Sequence, residues 1–293
     1  MSVLEHLLAT QDIVGECPVW SIEEQALYWV DILGCRFHRY HPALGKLDTY
    51  SVDASVGAIG LRASGGLVMA TGNGFATYDL TTRTTTFLSN PQADIPHMRF
   101  NDGNVDCQGR FWAGTMSTIP ENWDKLQGNL YRLDPDRTVQ AMDTGFALIN
   151  GIGWSPDNTA MYVVDSVRKA VYQYDFDAAS GEVAHRRTFL DTSEEKGVPD
   201  GLTVDQEGAL WIAYWDGWKI IRYDPSRKRI LQIDLPVQCP ASCAFGGRDL
   251  DELYITSAWE ELNDDQRVSQ PLAGDLFRIK TEIKGLPQPL FLG

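Results

Sequence analysis

The sequence predicts an all-β protein folded as a six-bladed β-propeller, a single domain over residues 1–293. Three observations carry this prediction. A short apolar strand signal recurs six times, its spacing stays between 40 and 50 residues, and helical periodicity is missing from every window longer than a few turns, while 26 Gly and 14 Pro punctuate the chain. Repeats of that length match four-stranded propeller blades. A sandwich or barrel would also use many short strands, but neither requires six similar units.

In order along the chain, the strand signals centre on Leu27, Leu67, Phe111, Met161, Leu210 and Leu253, as in Ala26-Leu27-Tyr28-Trp29-Val30. Each is followed by an aromatic or aliphatic strand closing on a polar turn: Phe37 to Pro42, Phe75 to Leu80, Asn129 to Pro135, Val171 to Phe176, Ile220 to Pro225 and Asp275 to Lys280. Ser117 to Gln127 and Glu260 to Leu272 are the longest irregular pieces and are expected as loops. Val3 to Ala9 is expected to pair with the last blade, because an open ring would leave strand edges unpaired.

The composition narrows the function classes. With 43% hydrophobic residues the chain can bury a large core, and a formal charge of −15 repels phosphate backbones and anionic lipid, which argues against nucleic-acid and membrane partners. The five cysteines are odd in number and lack Cys-x-x-Cys spacing, so neither a disulfide framework nor a zinc knuckle is expected. Met1 to Asp12 has no basic segment and only a short apolar run, which predicts neither a secretory signal nor a spanning helix, and a cytoplasmic location is expected. The oligomeric state is left open.

The stretch Val198 to Gly208 states the repeat most fully: a polar residue, a Gly, an apolar run and a turn ending in Gly. Counting back five positions from the turn-opening residue leads from Asp205 to Asp200, from Ser155 to Asn150, from Asp106 to Asn101 and from Ser21 to Glu16. The same count lands on Gly57 and Ala241 in the other two repeats, which are expected to be open positions. Innermost strands surround a propeller's axis, so Glu16, Asn101, Asn150 and Asp200 should converge. Two carboxylates and two amides are hard oxygen donors, suiting Ca²⁺, Mg²⁺ or Mn²⁺, with Zn²⁺ or Fe²⁺ in an open site as further choices.

Each residue also has a plainer reading. Asn150-Gly151 and Asp200-Gly201 are pairs that make turns on their own. Glu16 reads more plainly as a solvated loop acid, although it lies between apolar strand residues, where an unpaired carboxylate is costly. Arg99 shares a strand face with Asn101 by alternation and could equally form an ion pair with a nearby acid. Cys17 reads as a small buried hydrophobe, and the nine Trp as blade packing rather than a sugar-stacking platform. No nucleotide-binding loop, nucleophile elbow or histidine ligand spacing is present.

At these residues the chain resembles the SMP-30/gluconolactonase/luciferin-regenerating family, the regucalcin-like proteins, which are six-bladed propellers with one divalent metal in the central cavity. Gly15-Glu16-Cys17-Pro18-Val19-Trp20, Asn150-Gly151 and Pro199-Asp200-Gly201 are similar to its three metal motifs, in order along the chain. The resemblance implies Glu16, Asn150 and Asp200 as ligands of one divalent ion, most favourably calcium, with Asp200 also the catalytic base. Arg99-Phe100-Asn101-Asp102-Gly103 resembles the substrate segment and implies sugar contacts from Arg99 and Asn101. Some members carry a substrate-gripping Glu shortly after Gly-Thr-Met; here Ile119 stands at that position, with Glu121 close by. The implied activity is metal-dependent hydrolysis of a small sugar lactone, an aldonolactone, to the aldonic acid. The alternatives are a phosphotriesterase on the same metal and a non-catalytic calcium-binding propeller.

Overall fold

All six apolar segments lie on the second strand of a four-stranded antiparallel sheet, and the signal that follows each is the third strand of the same sheet. The structure is a computed structural model that describes residues 3–125 and 127–293. The six innermost strands are Gly15–Ser21, Val56–Leu61, Met98–Val105, Ile149–Trp154, Val198–Val204 and Cys239–Gly246. Each contacts the next, and the last contacts the first, so the ring is closed and the protein is a six-bladed β-propeller. Blades are numbered here in that order.

Closure occurs as the sequence predicts. Strand Glu5–Leu8 is the outermost strand of blade 6, with Glu5 opposite Arg278 and His6 opposite Phe277. A Glu5–Arg278 ion pair at 2.8 Å and a His6–Asp275 contact at 2.8 Å fasten it there. The two ends of the sequence thus share one sheet, which leaves the ring no open edge.

Aromatic side chains fill the wedges between blades. Phe37 meets Tyr78 edge-on at 4.9 Å, Phe75 meets Phe100 at 4.4 Å, Trp211 meets Phe245 at 5.6 Å, and Trp20 stacks on Tyr254 at 5.4 Å across the closing seam. Those rings therefore serve packing, as expected from their places on strands.

The turn-opening aspartates are structural. Asp205 accepts from the backbone N–H of Glu207 and Ala209 through Oδ1, and from Trp211 Nε1 and Arg222 Nε, both at 2.8 Å, through Oδ2. Asp106 repeats the arrangement with Gln108, Arg110 and Trp112. In both turns a left-handed glycine, Gly208 at φ 77° and Gly109 at φ 73°, lets the chain reverse under the carboxylate. Removing one member of a buried, fully bonded charge cluster costs about 3–5 kcal/mol. Asp205→Ala is accordingly expected to lower unfolding free energy by about that much in urea titration; a loss below about 1 kcal/mol would show the hub to be dispensable.

Two segments expected as irregular loops contain short helical pieces. Pro120–Lys125 is a 3₁₀ turn and Asp264–Ser269 a short α-helix. The latter starts at a capping box in which the Asn263 side chain accepts from Gln266 N and the Gln266 side chain accepts from Asn263 N. Six residues are too few for a periodic apolar stripe, which is why the capping pair was the one signal available. At the opposite end of the axis the C-terminal segment crosses under the blades, with Phe291 N donating to Leu61 O and Leu292 N to Gly109 O. No helix is long and apolar enough to cross a membrane among the described residues.

Candidate functional site

Every inner strand slips register at the same level. Pairing with the second strand shifts between Glu16 and Val19, Val56 and Ala58, Phe100 and Asp102, Ile149 and Ile152, Pro199 and Leu202, and Pro240 and Ser242. Bulges bend a strand and re-aim its side chains. Six at one height form a ring of re-aimed positions, and Glu16, Asn101, Asn150 and Asp200 sit in it, as the five-residue count predicts.

The glycines beside those residues do not make turns. Gly151 and Gly201 lie inside strands, where a Cβ would stand 2.5 Å from Leu202 N and 2.1 Å from Ser242 Oγ respectively. Glycine there lets neighbouring inner strands approach, which narrows the ring. Gly57, expected as an open position, is not one: a Cβ would stand 2.6 Å from the Phe100 carbonyl oxygen and 2.7 Å from that of Asn101. Ala241 is likewise fully buried. Both positions are close-packed, not vacant.

The two ring amides meet. Asn101 Nδ2 donates to Asn150 Oδ1 and to the Ile149 carbonyl, each at 3.0 Å, while Asn150 Nδ2 donates to Ser166 Oγ at 2.8 Å. That pairing fixes the Asn150 amide oxygen towards the ring. Glu16 uses Oε2 to accept from Cys17 N at 2.7 Å. Arg99 Nη1 donates to Asn101 Oδ1 at 2.8 Å and to the Phe100 carbonyl at 2.9 Å, which joins the guanidinium to the amides. Among the described residues no carboxylate lies within ion-pair distance of Arg99, so the simple ion-pair reading does not hold.

Asp102 is the residue the sequence reading missed. It is buried, accepts from Gly103 N at 2.7 Å, and lines a void of about 20 Å³ beneath the ring together with Cys17, Thr203 and Ser242. Strict alternation would turn it away from Asn101, but the bulge brings both inward. Ser166 was missed as well, since its place behind Asn150 depends on a hairpin in the next strand pair.

Charge is crowded here. Glu16, Asp102 and Asp200 are 4%, 5% and 5% exposed. Burial pushes the Glu16 carboxyl well up, with repulsion from Asp200 and then Asp102 adding to it. Burial and then Asp102 and Glu261 do the same to Asp200, for which no described residue supplies a hydrogen bond. Asp102 is pushed up to about 7 by burial, and Arg99 is brought down to about 10 by burial, against the pull of Glu260 and Glu16. Three buried acids that repel one another, of which only Glu16 is drawn to Arg99, make an electron-rich pocket that a cation would relieve. No three His, Cys, Asp or Glu side chains among the described residues form a group that could hold an ion, so a cation here must also draw on amide oxygen. Glu16, Asn150 and Asp200 supply two carboxylates and one amide oxygen, which fits a hard divalent ion.

The segment after Met116 carries Ile119 half-buried and Glu121 exposed. Ile119 N donates to Ser117 Oγ, and Trp123 Nε1 to the Ser117 carbonyl, which folds the segment back on itself. A cleft of about 310 Å³ lies against the C-terminal segment and is lined by Trp154, Pro156 and Pro287 with no ring residue. All five cysteines are free. Cys17 is buried, its Sγ 3.3 Å from Ile59 N, and burial pushes its thiol well up, so it is a packed hydrophobe as expected. A thiol reagent is expected to titrate Cys35 and Cys107 in the folded protein and the buried Cys17, Cys239 and Cys243 only after denaturation.

The family model described as SMP-30/Gluconolactonase/LRE-like region matches residues 14–259. Regucalcin of Xenopus laevis is 38% identical, over 96% of this chain and 95% of its own length. The 6-deoxy-6-sulfogluconolactonase of Pseudomonas putida is 35% identical over 99% of each. The solved structure of a calcium-binding protein, regucalcin, from Agrobacterium tumefaciens superposes with a TM-score of 0.94 at 28% identity, covering 99% of this chain and 97% of that one. A family match spanning all the inner strands, together with full-length identity above a third, carries the conclusion that this chain belongs to the SMP-30/gluconolactonase/LRE-like family.

Proposed function

We propose that the protein is a divalent-metal-dependent lactonase that hydrolyses an aldonolactone to the aldonic acid, with residues 1–293 acting as one unit. The observation that carries this reading is the buried pair Glu16 and Asp200, near enough for Asp200 to raise the Glu16 carboxyl by repulsion, in the ring that also holds the Asn101–Asn150 amide pair and an Arg99 with no carboxylate at ion-pair distance among the described residues. A sulfogluconolactonase among the relatives supports the substrate class, and a relative described as calcium-binding supports the cofactor.

Glu16, Asn150 and Asp200 would hold the ion, calcium before zinc, manganese, magnesium or iron(II). When bound, a divalent cation polarises the lactone carbonyl and offsets the charge that develops on its oxygen. Asp200 accepts a proton from the attacking water as that oxygen bonds to the carbonyl carbon. Collapse breaks the bond between the acyl carbon and the ring oxygen, and the proton returns to that oxygen, leaving a hydroxyl and a carboxylic acid. Arg99 and Asn101 orient the sugar through its hydroxyl groups. Arg99 also favours catalysis over simple ion storage, since a cation store gains nothing from a guanidinium at its mouth.

The test is acid release from gluconolactone, galactonolactone, arabinolactone and xylonolactone, beside an aryl phosphotriester, with chelated protein and with each divalent ion restored. The expected result is turnover of at least one lactone that disappears on chelation and returns with metal. Turnover of the phosphotriester alone points to the phosphotriesterase, and calcium binding without any turnover points to a binding propeller.

A further inference from the structure

Blade 6 gives the ring only the methyl group of Ala241, yet it builds a distinctive rim above it. The segment leaving its second strand is pinned to blade 1: Ala258 bridges Val14, and the backbone N–H groups of Trp259 and Glu260 donate to the Ile13 carbonyl at 3.1 and 3.2 Å. Val14 stands two residues before Glu16. On the other side Trp215 Nε1 donates to Glu261 Oε2 at 3.0 Å, and Trp215 pairs with Val198, two residues before Asp200. Glu260 and Glu261 therefore span the mouth between the two carboxylate-bearing blades. Their charge reaches inward, since Glu260 acts on Arg99 and Glu261 on Asp200.

Among the described residues no cation lies within ion-pair distance of Glu260 or Glu261, and the basic side chains around them make other contacts. Arg267 lies over the Trp259 ring at 3.8 Å, and Lys196 lies over the Trp218 ring at 5.9 Å. Arg99 donates to Asn101 and the Phe100 carbonyl. The side of the mouth formed by blade 6 thus presents two carboxylates over a pocket that already holds three.

We infer that Glu260 and Glu261 form an acidic lip that restricts the cavity to uncharged lactones and rejects those carrying a sulfonate, phosphate or carboxylate. This rests on the lactonase reading and narrows its substrate class. Fixed charges at the rim of a low-dielectric cleft act on every approaching anion, and the discrimination they impose is screened by salt. A hydroxyl at the same place can donate to either carboxylate.

The test compares kcat/KM for gluconolactone and its 6-phosphorylated counterpart in the wild type and in the E260Q/E261Q double variant. Glutamine keeps the oxygen that Trp215 needs, so the rim should stay folded, which a melting curve verifies. The expected result is a wild-type preference for the neutral lactone that weakens with added salt. In the double variant the ratio should shift tenfold or more towards the anion. An unchanged ratio in the folded variant, or equal wild-type use of both lactones, overturns the inference. The lip can also be read without turnover, by calorimetric titration of glucitol against glucitol 6-phosphate. Selective wild-type binding of glucitol that is lost in the variant supports the lip even where no lactone is hydrolysed, and equal binding of both rejects it.

Discussion

Asp200→Asn is expected to lower turnover by a factor of about 10² or more, the usual contribution of a positioned general base. Asparagine is nearly the same shape and keeps one carbonyl oxygen for an ion, but it cannot accept a proton at neutral pH. Because no described residue donates a hydrogen bond to the Asp200 carboxylate, the exchange breaks no hydrogen bond within the protein. It also removes one of three crowded acids, so the chelated variant should melt no lower than the chelated wild type. Asn150→Asp provides the contrast. A carboxylate there still accepts from Asn101 Nδ2 and can accept from the Ser166 hydroxyl, so it should tighten ion binding and leave the base in place. Elemental analysis beside turnover separates the roles: full metal occupancy with near-normal turnover in Asp200→Asn would remove Asp200 from proton transfer.

The blade count and the ring were legible because both follow from periodic features. A repeat of 40 to 50 residues locates each blade, and one offset from each turn locates Glu16, Asn101, Asn150 and Asp200. The bulges could not be read, because a bulge is a departure from the two-residue period that strand reading assumes. Asp102 was lost for that reason, although a buried acid between Asn101 and Gly103 in a strand with no turn was a usable signal. The glycines carry a related ambiguity. Gly151 and Gly201 look like turn residues in isolation, and only the neighbouring blade shows that they are sites of close approach. Gly57 fails the same way: an absent side chain means an open slot only if nothing else fills it. Glu260 and Glu261 were invisible because their position depends on where Ile13 and Trp215 stand, far away in sequence.

Chelation is expected to lower the melting temperature by about 8 °C when the comparison holds metal at about a thousand times its dissociation constant, since that excess stabilises by about 4 kcal/mol and a chain of this length shifts by about 2 °C per kcal/mol. The pH dependence should reveal which groups are responsible. In the metal-free protein, Glu16 and Asp200 have carboxyls raised well above their ordinary values, and Asp102 is raised to about 7. An acid whose folded value lies above its unfolded value binds its proton more tightly in the fold. Its contribution to stability is therefore present below the ordinary carboxylate range, near pH ~4, and is lost as pH rises through the raised value. Chelated protein should lose stability between about pH 5 and 8 on this account. With an ion bound, Glu16 and Asp200 are held ionised, so their sign reverses and stability is lost as pH falls instead. The stabilisation by metal should thus grow from weakly acidic to neutral pH, measured as melting temperature with and without chelator across that range. Two parallel curves would mean that the ion, wherever it binds, does not draw on these buried acids.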